Sequence, residues 1–489
     1  MNGHKGMKMI IAVLDKRGED ATGAVVSVLK ALCTEHSGSF GVATPTTCAL
    51  EKNVDALQSQ DLKSATGVGY TFPKTLPHGE TQSVRLENAT LVFTGRIYSP
   101  TQNVSAAEFV ANKLKQNQHK AAEALLDEVE GDFAFIIIEP ERITAGRDPI
   151  GVQPLYYGEN RNAAALAANR KALWKLGIEK VQSFPPGNLA VVSREGFKFK
   201  PVKTFGYSKP KQTTMQEAAE TLQKLLENSV RKRVWGLREV AVAFSGGLDS
   251  SLVAFLAKKC QVNVQLIHVS LENQHETEEA KKAADELKLP VQVHLFREED
   301  IEKVAAKVVG LVEEPDPVKL SIGLPFYWAA EKTAEAGFKV LLAGQGADEL
   351  FGGYQRYVND YLLSEKEEVR KKMFNDVAKL HENNIERDVK ICSFHGVELR
   401  LPFASYAIAD FALSLPLELK IEKKTDSLRK LVLRKVAENM GLPASIAEKP
   451  KKAVQYATGI NDALKKLAKR QNATVNEYVN KLFLKSIQP

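Results

Sequence analysis

The sequence predicts an α/β protein of two domains, and three features of the chain support this. Before residue 208, short segments that alternate apolar and polar residues are separated by Gly and Pro turns, as in a β-rich α+β domain. After residue 214, strand-like and helix-like segments alternate, which is typical of a parallel, doubly wound sheet. The polar stretch Ser208–Thr214 between them has the composition of a linker. We therefore expect domains at 1–208 and 214–489.

Each domain contains segments whose pattern predicts a particular element. In the first domain the predicted strands are Thr90–Phe93, Phe133–Ile138, Ile143–Ala145 and Asn188–Ser193. In the second, Thr214 is expected to cap an amphipathic helix that runs to about Arg233. The strands predicted after it are Val240–Phe244, Val262–Val269, Val291–Leu295 and Lys339–Ala343, with a helix after each of the first three. Beyond Val358 the pattern becomes mainly helical and rich in lysine.

Composition limits the class of protein. The chain has 489 residues, of which 44% are hydrophobic and 26% charged, and these proportions are those of a globular protein. Apolar runs such as Phe133–Ile138 fall far short of the roughly 20 residues that a membrane helix needs. The N-terminal apolar run is too short for a secretory signal, and the four cysteines form no CxxC pair. We expect a cytoplasmic protein without a membrane partner or a zinc site.

A glycine-rich loop, Ser245–Ser251, follows the predicted strand Val240–Phe244 and precedes the helical run Leu252–Lys258. Two glycines allow positive φ angles and close backbone approach, and a helix N-terminus adds partial positive charge, so the loop can hold a pyrophosphate. The loop lacks the lysine of a Walker A motif, which argues against γ-phosphate transfer. The residues expected to bind pyrophosphate are Ser245, Gly246, Gly247, Asp249 and Ser250.

A second loop, Gly344–Tyr354, follows the predicted strand Lys339–Ala343. Parallel strands end at the same edge of a sheet, so this loop should lie beside the first. Asp249 and Asp348 could then share a Mg²⁺ ion, which prefers hard oxygen ligands and would neutralise a pyrophosphate leaving group. Pyrophosphate and Mg²⁺ are therefore the expected occupants of this edge of the sheet.

Together with four further segments, the two loops resemble the class B asparagine synthetase family. The segments that carry the resemblance are Ser245–Ser251, Gly344–Tyr354, Gly396–Phe403, Gly131–Phe135, Arg147–Tyr157 and Pro186–Gly187. The resemblance covers nearly the whole chain. It implies an N-terminal Ntn-hydrolase-like α+β glutaminase domain, followed by a doubly wound parallel-sheet ATP-pyrophosphatase domain of the HUP-like type with a helical C-terminal part.

The chemistry that the resemblance implies is that of an ATP-dependent amide ligase. ATP would adenylate a carboxylate, the side chain of aspartate in this family, and ammonia would then attack the acyl-adenylate to give asparagine, AMP and pyrophosphate. AMP is a far better leaving group than the oxide of a free carboxylate. By the same resemblance, Val269 and Gly344 are expected neighbours of the adenine and ribose.

The first domain departs from the family at its glutamine site. A working glutaminase of this family begins Met-Cys-Gly-Ile and uses that cysteine as nucleophile, whereas Lys8 stands in its place here. Cys33 and Cys48 are internal and are expected to be buried apolar fillers. The replaced glutamine contacts are Glu35–Gly38, Thr94–Tyr98 and Ser105–Glu108. We therefore expect a glutaminase fold without glutaminase activity in 1–208, and ammonia as the nitrogen source.

The second domain departs from the family at the residues closest to the chemistry. Gln345 stands where the family has a glutamate thought to deprotonate the amine, and an amide cannot act as a base. Glu349 or the pyrophosphate could take over that role. The family's transition-state lysine should lie in the segment Glu448–Tyr456, where its register favours Lys451 and leaves Lys452 as the alternative.

The segment Glu313–Gly323 occupies the place of the family's aspartate-binding stretch but lacks its Thr-Thr-x-Arg pattern. Lys319 could pair with a substrate carboxylate as a point charge, and Asp316 is the other candidate substrate residue. The identity of the acceptor carboxylate stays open at this point.

Two other functions compete with an ammonia-dependent ligase. An adenylating enzyme that acts on tRNA or another carboxylate would use the basic residues Lys420, Lys423, Lys424, Arg429, Lys430, Arg434 and Lys435. Their helical spacing favours a solvated helix face instead, so a nucleic-acid partner is not expected. A non-catalytic scaffold would have no reason to keep the glycines and acids of the two loops. A homodimer is a further expectation that the sequence leaves open.

Overall fold

The computed structural model describes residues 9–33, 39–58, 62–72, 83–99, 105–115, 118–424, 428–450 and 458–487. The chain divides into two compact units. Unit 1 comprises Met1–Thr204 with Ser393–Gly396, and unit 2 comprises Phe205–Cys392 with Val397–Pro489.

In the described part of unit 1, the strands form two antiparallel sheets, one of seven strands and one of six. The strands are β1 (Ile10–Asp15), β2 (Ser39–Ala43), β3 (Cys48–Glu51), β4 (Thr66–Phe72), β5 (Ser83–Arg85), β6 (Thr90–Ser99), β7 (Glu130–Glu139), β8 (Arg142–Arg147), β9 (Tyr156–Glu159), β10 (Ala163–Ala167), β11 (Gln182–Ser183), β12 (Asn188–Ser193) and β13 (Gly196–Pro201). Their orders are β11-β9-β10-β1-β4-β2-β3 and β13-β12-β8-β7-β6-β5. The helices are α1 (Thr22–Leu32), α2 (Val54–Gln58), α3 (Ala106–Leu114), α4 (Gln118–Glu128) and α5 (Arg170–Lys175).

Alternation along the strands builds four layers in unit 1. In β1, Ile10 belongs to a core shared with the β7 residue Ile136 of the other sheet, so the two sheets pack face to face. The next residue, Ile11, points to the opposite face and packs with Val25 of α1. The outer face of the second sheet is covered by α3 and α4. A helix–sheet–sheet–helix arrangement follows, which confirms the Ntn-hydrolase-like α+β fold predicted for this half.

In unit 2, five parallel strands form one sheet in the order β16-β15-β14-β17-β18 within the described residues. These strands are β14 (Glu239–Ala243), β15 (Asn263–Leu271), β16 (Val291–Phe296), β17 (Val340–Leu342) and β18 (Glu398–Arg400). The helices that accompany and follow them are α6 (Met215–Val234), α7 (Leu248–Lys259), α8 (Glu276–Leu287), α9 (Glu298–Val312), α10 (Pro317–Glu335), α11 (Ala347–Phe351), α12 (Gln355–Leu363), α13 (Lys366–Ala378), α14 (Glu386–Phe394), α15 (Tyr406–Ser414), α16 (Leu431–Asn439), α17 (Ala444–Ala447), α18 (Ile460–Arg470) and α19 (Val475–Ile487). A π-helical turn at His381–Ile385 and a 3₁₀ turn at Leu417–Leu419 complete the unit.

The predicted parallel sheet, its helical C-terminal part and the helix cap at Thr214 are confirmed. Strands β15 and β18 are the two differences from the prediction. Helix α6 begins after Thr214, whose hydroxyl accepts from the backbone N–H of Glu217 while the Glu217 carboxylate accepts from the N–H of Thr214. Strand β15 runs two residues beyond Val269, so that residue lies inside the strand rather than at its end. Strand β18 was not predicted, because three residues are too short to show a periodicity. No described helix combines the length and apolar character needed to cross a membrane.

Asp148 lies in the Arg147–Tyr157 motif of unit 1, and its buried side chain holds the backbone of that motif. Its carboxylate is fully buried and accepts hydrogen bonds from the backbone N–H groups of Gly151 (2.7 Å), Val152 (3.1 Å) and Phe133 (3.2 Å), among others. The carboxylate thus fixes the turn after β8 and ties it to β7. The Arg147–Tyr157 segment therefore has a structural role in unit 1.

We predict that Asp148→Ala lowers the free energy of unfolding of unit 1 by at least about 3 kcal/mol, because several buried N–H groups lose their acceptor. Urea denaturation followed by circular dichroism measures this. Asp127→Ala, at an exposed residue of α4, is the matched control and should change stability by no more than about 0.5 kcal/mol. Equal stability of the two variants would contradict the role assigned to Asp148.

Candidate active site

The first loop of the site connects β14 to α7. Gly246 has φ +67°, and a Cβ atom built on it would lie 2.7 Å from the Cα of Ala280 in α8. Any side chain there would therefore be strained and would clash with helix backbone. Gly247, at the N-cap of α7, has φ −88° and needs no glycine on conformational grounds.

The hydroxyls of this loop bond to one another. The Ser250 hydroxyl lies 3.2 Å from that of Ser245, accepts from the Ser245 N–H at 3.3 Å and donates to the Gly247 carbonyl at 3.2 Å. Asp249 lies in the first turn of α7. The loop thus presents hydroxyls and a helix N-terminus at the carboxyl end of β14, an arrangement that suits a phosphate group.

The second loop lies directly against the first, because β17 is the neighbour of β14 in the sheet. A Cβ atom on Gly344 would lie 2.8 Å from the Cβ of Asp249 and 3.3 Å from the N of Ser250. Gly344 therefore permits the contact between the loops. The prediction that both loops share one edge of the sheet is confirmed.

Lys430 joins the two aspartates. Its Nζ lies 2.5 Å from Oδ2 of Asp249 and 2.6 Å from Oδ1 of Asp348, and its side chain is 2% exposed. Lys430 has a left-handed backbone, φ +63°, just before α16. The sequence analysis predicted that Lys420 and Lys430 lie on a solvated basic helix face. That prediction is wrong for both residues, because both are buried.

Lys449 is a second lysine beside the pyrophosphate loop. Its Nζ donates to the carbonyl of Gly246 at 3.3 Å and forms an ion pair with Glu279 at 2.8 Å. The sequence analysis included Lys449 in the segment Glu448–Tyr456 but favoured Lys451, with Lys452 as the alternative. Both of these lysines lie outside the described residues.

Gln345, in the second loop, forms a hydrogen bond with a buried acid of α14, Asp388. Its Nε2 donates to Oδ2 of Asp388 at 2.5 Å, and Asp388 is fully buried and paired with Arg387 at 2.7 Å. Gln345 therefore acts as a hydrogen-bond donor, as its amide chemistry requires. The sequence analysis did not identify Asp388. One of its partners, Gln345, lies 43 residues away in the chain and the other, Arg387, is the preceding residue, so no local motif connects the three.

Glu349 lies in the first turn of the second loop's helix, α11, and is 4% exposed. Its Oε1 accepts from the hydroxyl of Tyr354 at 2.5 Å and from Nδ2 of Asn384 at 2.6 Å. Burial raises the pKa of the Glu349 carboxyl, and the charge of neighbouring Asp348 raises it further. A carboxyl of raised pKa is suited to exchanging protons near neutral pH.

The two residues expected to bind the acceptor have partners within the protein. Asp316 is the N-cap of α10 and accepts from the N–H groups of Val318 at 2.7 Å and Lys319 at 3.0 Å. The Nζ of Lys319 lies 2.6 Å from Glu314. Val269 is 9% exposed within β15. The structure does not test the roles that the resemblance gives to these residues.

Residues of two altered glutamine contacts in unit 1 have other tasks in the described structure, whereas the third contact, 35–38, and residue 8 lie outside the described residues. Ser105 and Glu108 form the capping box of α3, with each side chain bonded to the other's backbone N–H. Tyr98 donates its hydroxyl to Asp132 at 2.8 Å. The expectation that both Cys33 and Cys48 are buried is wrong, because Cys48 is exposed and Cys33 half-buried.

The described residues contain no group of three or more His, Cys, Asp or Glu that could hold a metal alone. Two carboxylate oxygens, one each from Asp249 and Asp348, nevertheless surround a single cationic nitrogen. Mg²⁺ is commonly held by one or two carboxylates together with substrate phosphates. The donor set therefore fits Mg²⁺ that arrives with a nucleotide.

Comparison with known families gives matches to both units. A family model described as asparagine synthase matches residues 221–367 and 359–487, and a model described as a glutamine amidotransferase domain matches residues 76–175.

Two curated relatives illustrate the similarity. The protein named "Putative asparagine synthetase (glutamine-hydrolyzing) 1" of Methanocaldococcus jannaschii is 34% identical over 414 residues, which cover 74% of this chain and 76% of the relative. The asparagine synthetase (glutamine-hydrolyzing) of Asparagus officinalis is 28% identical over 354 residues, which cover 69% of this chain and 59% of the relative. The names of both relatives include glutamine hydrolysis.

A solved structure, the glutamine phosphoribosylpyrophosphate amidotransferase from B. subtilis complexed with ADP and GMP, is 15% identical with a TM-score of 0.34. The likeness covers 58% of this chain and 65% of that one, and it is too weak to add to the fold described above.

We predict that Gly246→Ala abolishes most ATP-dependent pyrophosphate release, because the new Cβ would meet α8 backbone and distort the loop. Gly247→Ala is the matched control, since its φ is ordinary and its Cβ would face only the Ser245 hydroxyl at 3.3 Å. Pyrophosphate release by both purified variants, with circular dichroism as the folding check, measures this. Equal losses in both variants would show that conformational strain at Gly246 does not decide loop function.

Proposed function

Since the chain belongs to the asparagine synthase family and is an ATP-dependent amide ligase, we propose that it adenylates the side-chain carboxylate of aspartate and transfers ammonia to it. The products are asparagine, AMP and pyrophosphate. The observation that carries this proposal is the contact between the two loops, in which Lys430 brings Asp249 and Asp348 around one cation.

The first half-reaction forms the acyl-adenylate. In this proposal the loop Ser245–Ser250 binds the β- and γ-phosphates through its hydroxyls, its backbone and the start of α7. Asp249 and Asp348 would hold Mg²⁺, which supplies positive charge against the leaving pyrophosphate. Lys430 keeps the two carboxylates close together, because without its charge they would repel each other.

The second half-reaction needs neutral ammonia. Gln345 cannot accept the ammonium proton, whereas Glu349 has a buried carboxyl whose pKa is raised. We assign the proton-accepting role to Glu349, with Tyr354 and Asn384 orienting its carboxylate through hydrogen bonds. The pair Gln345–Asp388 instead fixes the shape of the second loop.

The assignments of the transition-state lysine and of the acceptor-binding residues rest on the resemblance. Lys451, with Lys452 as the alternative, is proposed to stabilise the transition state of adenylation. Lys319 and Asp316 are proposed to lie near the acceptor. A cytoplasmic location and a homodimer also stay predictions.

The nitrogen source is proposed to be free ammonia rather than glutamine. The Ser105–Glu108 segment serves as a helix cap, and the strand Thr94–Tyr98 carries Arg96 where the family has a glutamate. Cys33 and Cys48 are internal and have no free α-amine to act as a base. The relatives' names include glutamine hydrolysis, so this is the part of the proposal in which the chain would differ from them.

We predict that ¹⁵N-ammonium, aspartate, ATP and Mg²⁺ give labelled asparagine and pyrophosphate, whereas amide-labelled glutamine gives neither product nor glutamate. Mass spectrometry and a pyrophosphate assay measure this.

Asp249→Asn should slow pyrophosphate release by about 10² or more, since a charge that acts on the transition state is lost.

Asp285→Asn, at an exposed residue of α8, is the matched control for Asp249→Asn and should keep the parental rate.

In the labelling experiment, glutamate release above that of heat-inactivated protein would contradict the loss of glutaminase activity. Pyrophosphate release with other carboxylates but not with aspartate would contradict the assigned acceptor.

We predict that Glu349→Gln slows amide formation by about 10² or more while pyrophosphate release changes only a few-fold, as expected for loss of a general base. A base must be deprotonated, so amide formation by the parent should fall as pH drops through the raised pKa of Glu349. The variant should lose this dependence and keep only the rise caused by ammonium deprotonation. Glu368→Gln, at an exposed residue of α13, is the control. Parallel pH profiles for parent and Glu349→Gln would rule out the base.

A further inference from the structure

A small pocket that opens to solvent lies within unit 2. Its lining includes Tyr207, Arg370, Met373, Leu417 and Lys420, and it contains no residue of the two active-site loops. The cavity combines apolar walls with two cationic side chains. This composition is unusual for a surface cleft that binds nothing, because buried charge is costly.

Lys420 is the feature that needs explanation. It is 4% exposed, and no described hydrogen bond or ion pair involves its Nζ. An ammonium group that leaves water without a counter-charge costs several kcal/mol, so buried lysines are normally paired. Burial, with a smaller contribution from the charge of Arg370, lowers the pKa of Lys420 to about 7. The lysine is therefore partly protonated at neutral pH in the absence of an anion.

The carboxylates around the cavity already have cationic partners. Glu367 accepts from Arg370 at 2.8 Å and from the Tyr207 hydroxyl at 2.6 Å. Glu418, two residues from Lys420, pairs with Lys366 at 3.1 Å. Arg370 is 8% exposed and also donates to a backbone carbonyl, that of Ser208, at 2.7 Å. Protonated Lys420 thus leaves the cavity with one positive charge in excess.

We propose that this cavity is a binding subsite for a small oxyanion of the phosphate class, held by Lys420 with Arg370 beside it. The occupant would supply the counter-charge that the described protein does not provide. Oxyanions match this site because their several acceptor oxygens can take the three donors of an ammonium group. The subsite is distinct from the pyrophosphate loop, whose residues are not part of its lining.

The subsite is close in the chain to the residue that joins the two aspartates. The carbonyl of Lys420 accepts from the N–H of Leu431 at 2.9 Å, and Ile421 pairs with Arg429 in an isolated β-bridge. Lys430 lies between these two contacts. An anion at Lys420 would therefore bind next to the two backbone contacts that flank Lys430. The proposal does not depend on which carboxylate the enzyme adenylates.

Titration of the nucleotide-free full chain with inorganic sulfate in a calorimeter tests the proposal. Sulfate keeps its charge across neutral pH, so any pH dependence belongs to the protein. We expect sulfate affinity to fall at least about tenfold between about pH 6 and about pH 8.5, because only protonated Lys420 attracts an anion. Inorganic phosphate should compete for the same site. Absence of sulfate binding, or binding of equal strength at both pH values, would overturn the proposal.

Substitutions locate the binding. Lys420→Met keeps the length of the side chain without its charge and should abolish sulfate binding while leaving the thermal unfolding temperature unchanged or higher. Lys424→Met, at an exposed lysine, is the control and should bind like the parent. Sulfate binding that survives Lys420→Met but is lost in Gly246→Ala would place the anion in the pyrophosphate loop and overturn the proposal. Should Lys420→Met fail to fold, the pH dependence in the parent decides alone.

Discussion

The ion pairs between Lys430 and the two aspartates are the interaction on which the candidate site depends. Asp249 and Asp348 come from different loops, and two carboxylates at one sheet edge repel each other in a partly buried setting. A nearly buried ammonium within 2.6 Å of both removes that repulsion. Lys430 therefore lets the protein hold the two acids side by side, and this is the pair to which we assign metal binding in the proposed function.

The sheet and its glycines bring these charges into range. Strand β14 precedes the first loop and β17 the second, and the two strands are parallel neighbours. Gly344 lacks the Cβ that would collide with Asp249, and Gly246 lacks the one that would collide with α8. Both positions need glycine for space, and Gly246 also needs it for its positive φ angle. The glycine spacing of the two motifs is thus a packing requirement.

Buried acids in the two units have different tasks because their partners differ. Asp148 of unit 1 accepts from backbone N–H groups and fixes a turn, which is a structural role. In unit 2, Asp388 is held by Arg387 and Gln345 and shapes the second loop. Among the described residues, the donors to Glu349 are the neutral groups of Tyr354 and Asn384, and burial raises the pKa of its carboxyl, which suits proton transfer.

The sequence by itself determined the two fold types, the two loops and most elements around them, because apolar periodicity and glycine spacing are local properties of the chain. It predicted Asn188–Ser193 with the bounds that β12 has, and placed the cap of α6 at Thr214. Only the tertiary structure decided which charged side chains are buried and what they pair with. Lys430 lies 181 residues from Asp249 in the chain, and Lys420 and Lys430 have the same local pattern as exposed lysines around them. Their burial depends on long-range packing, which no local pattern records.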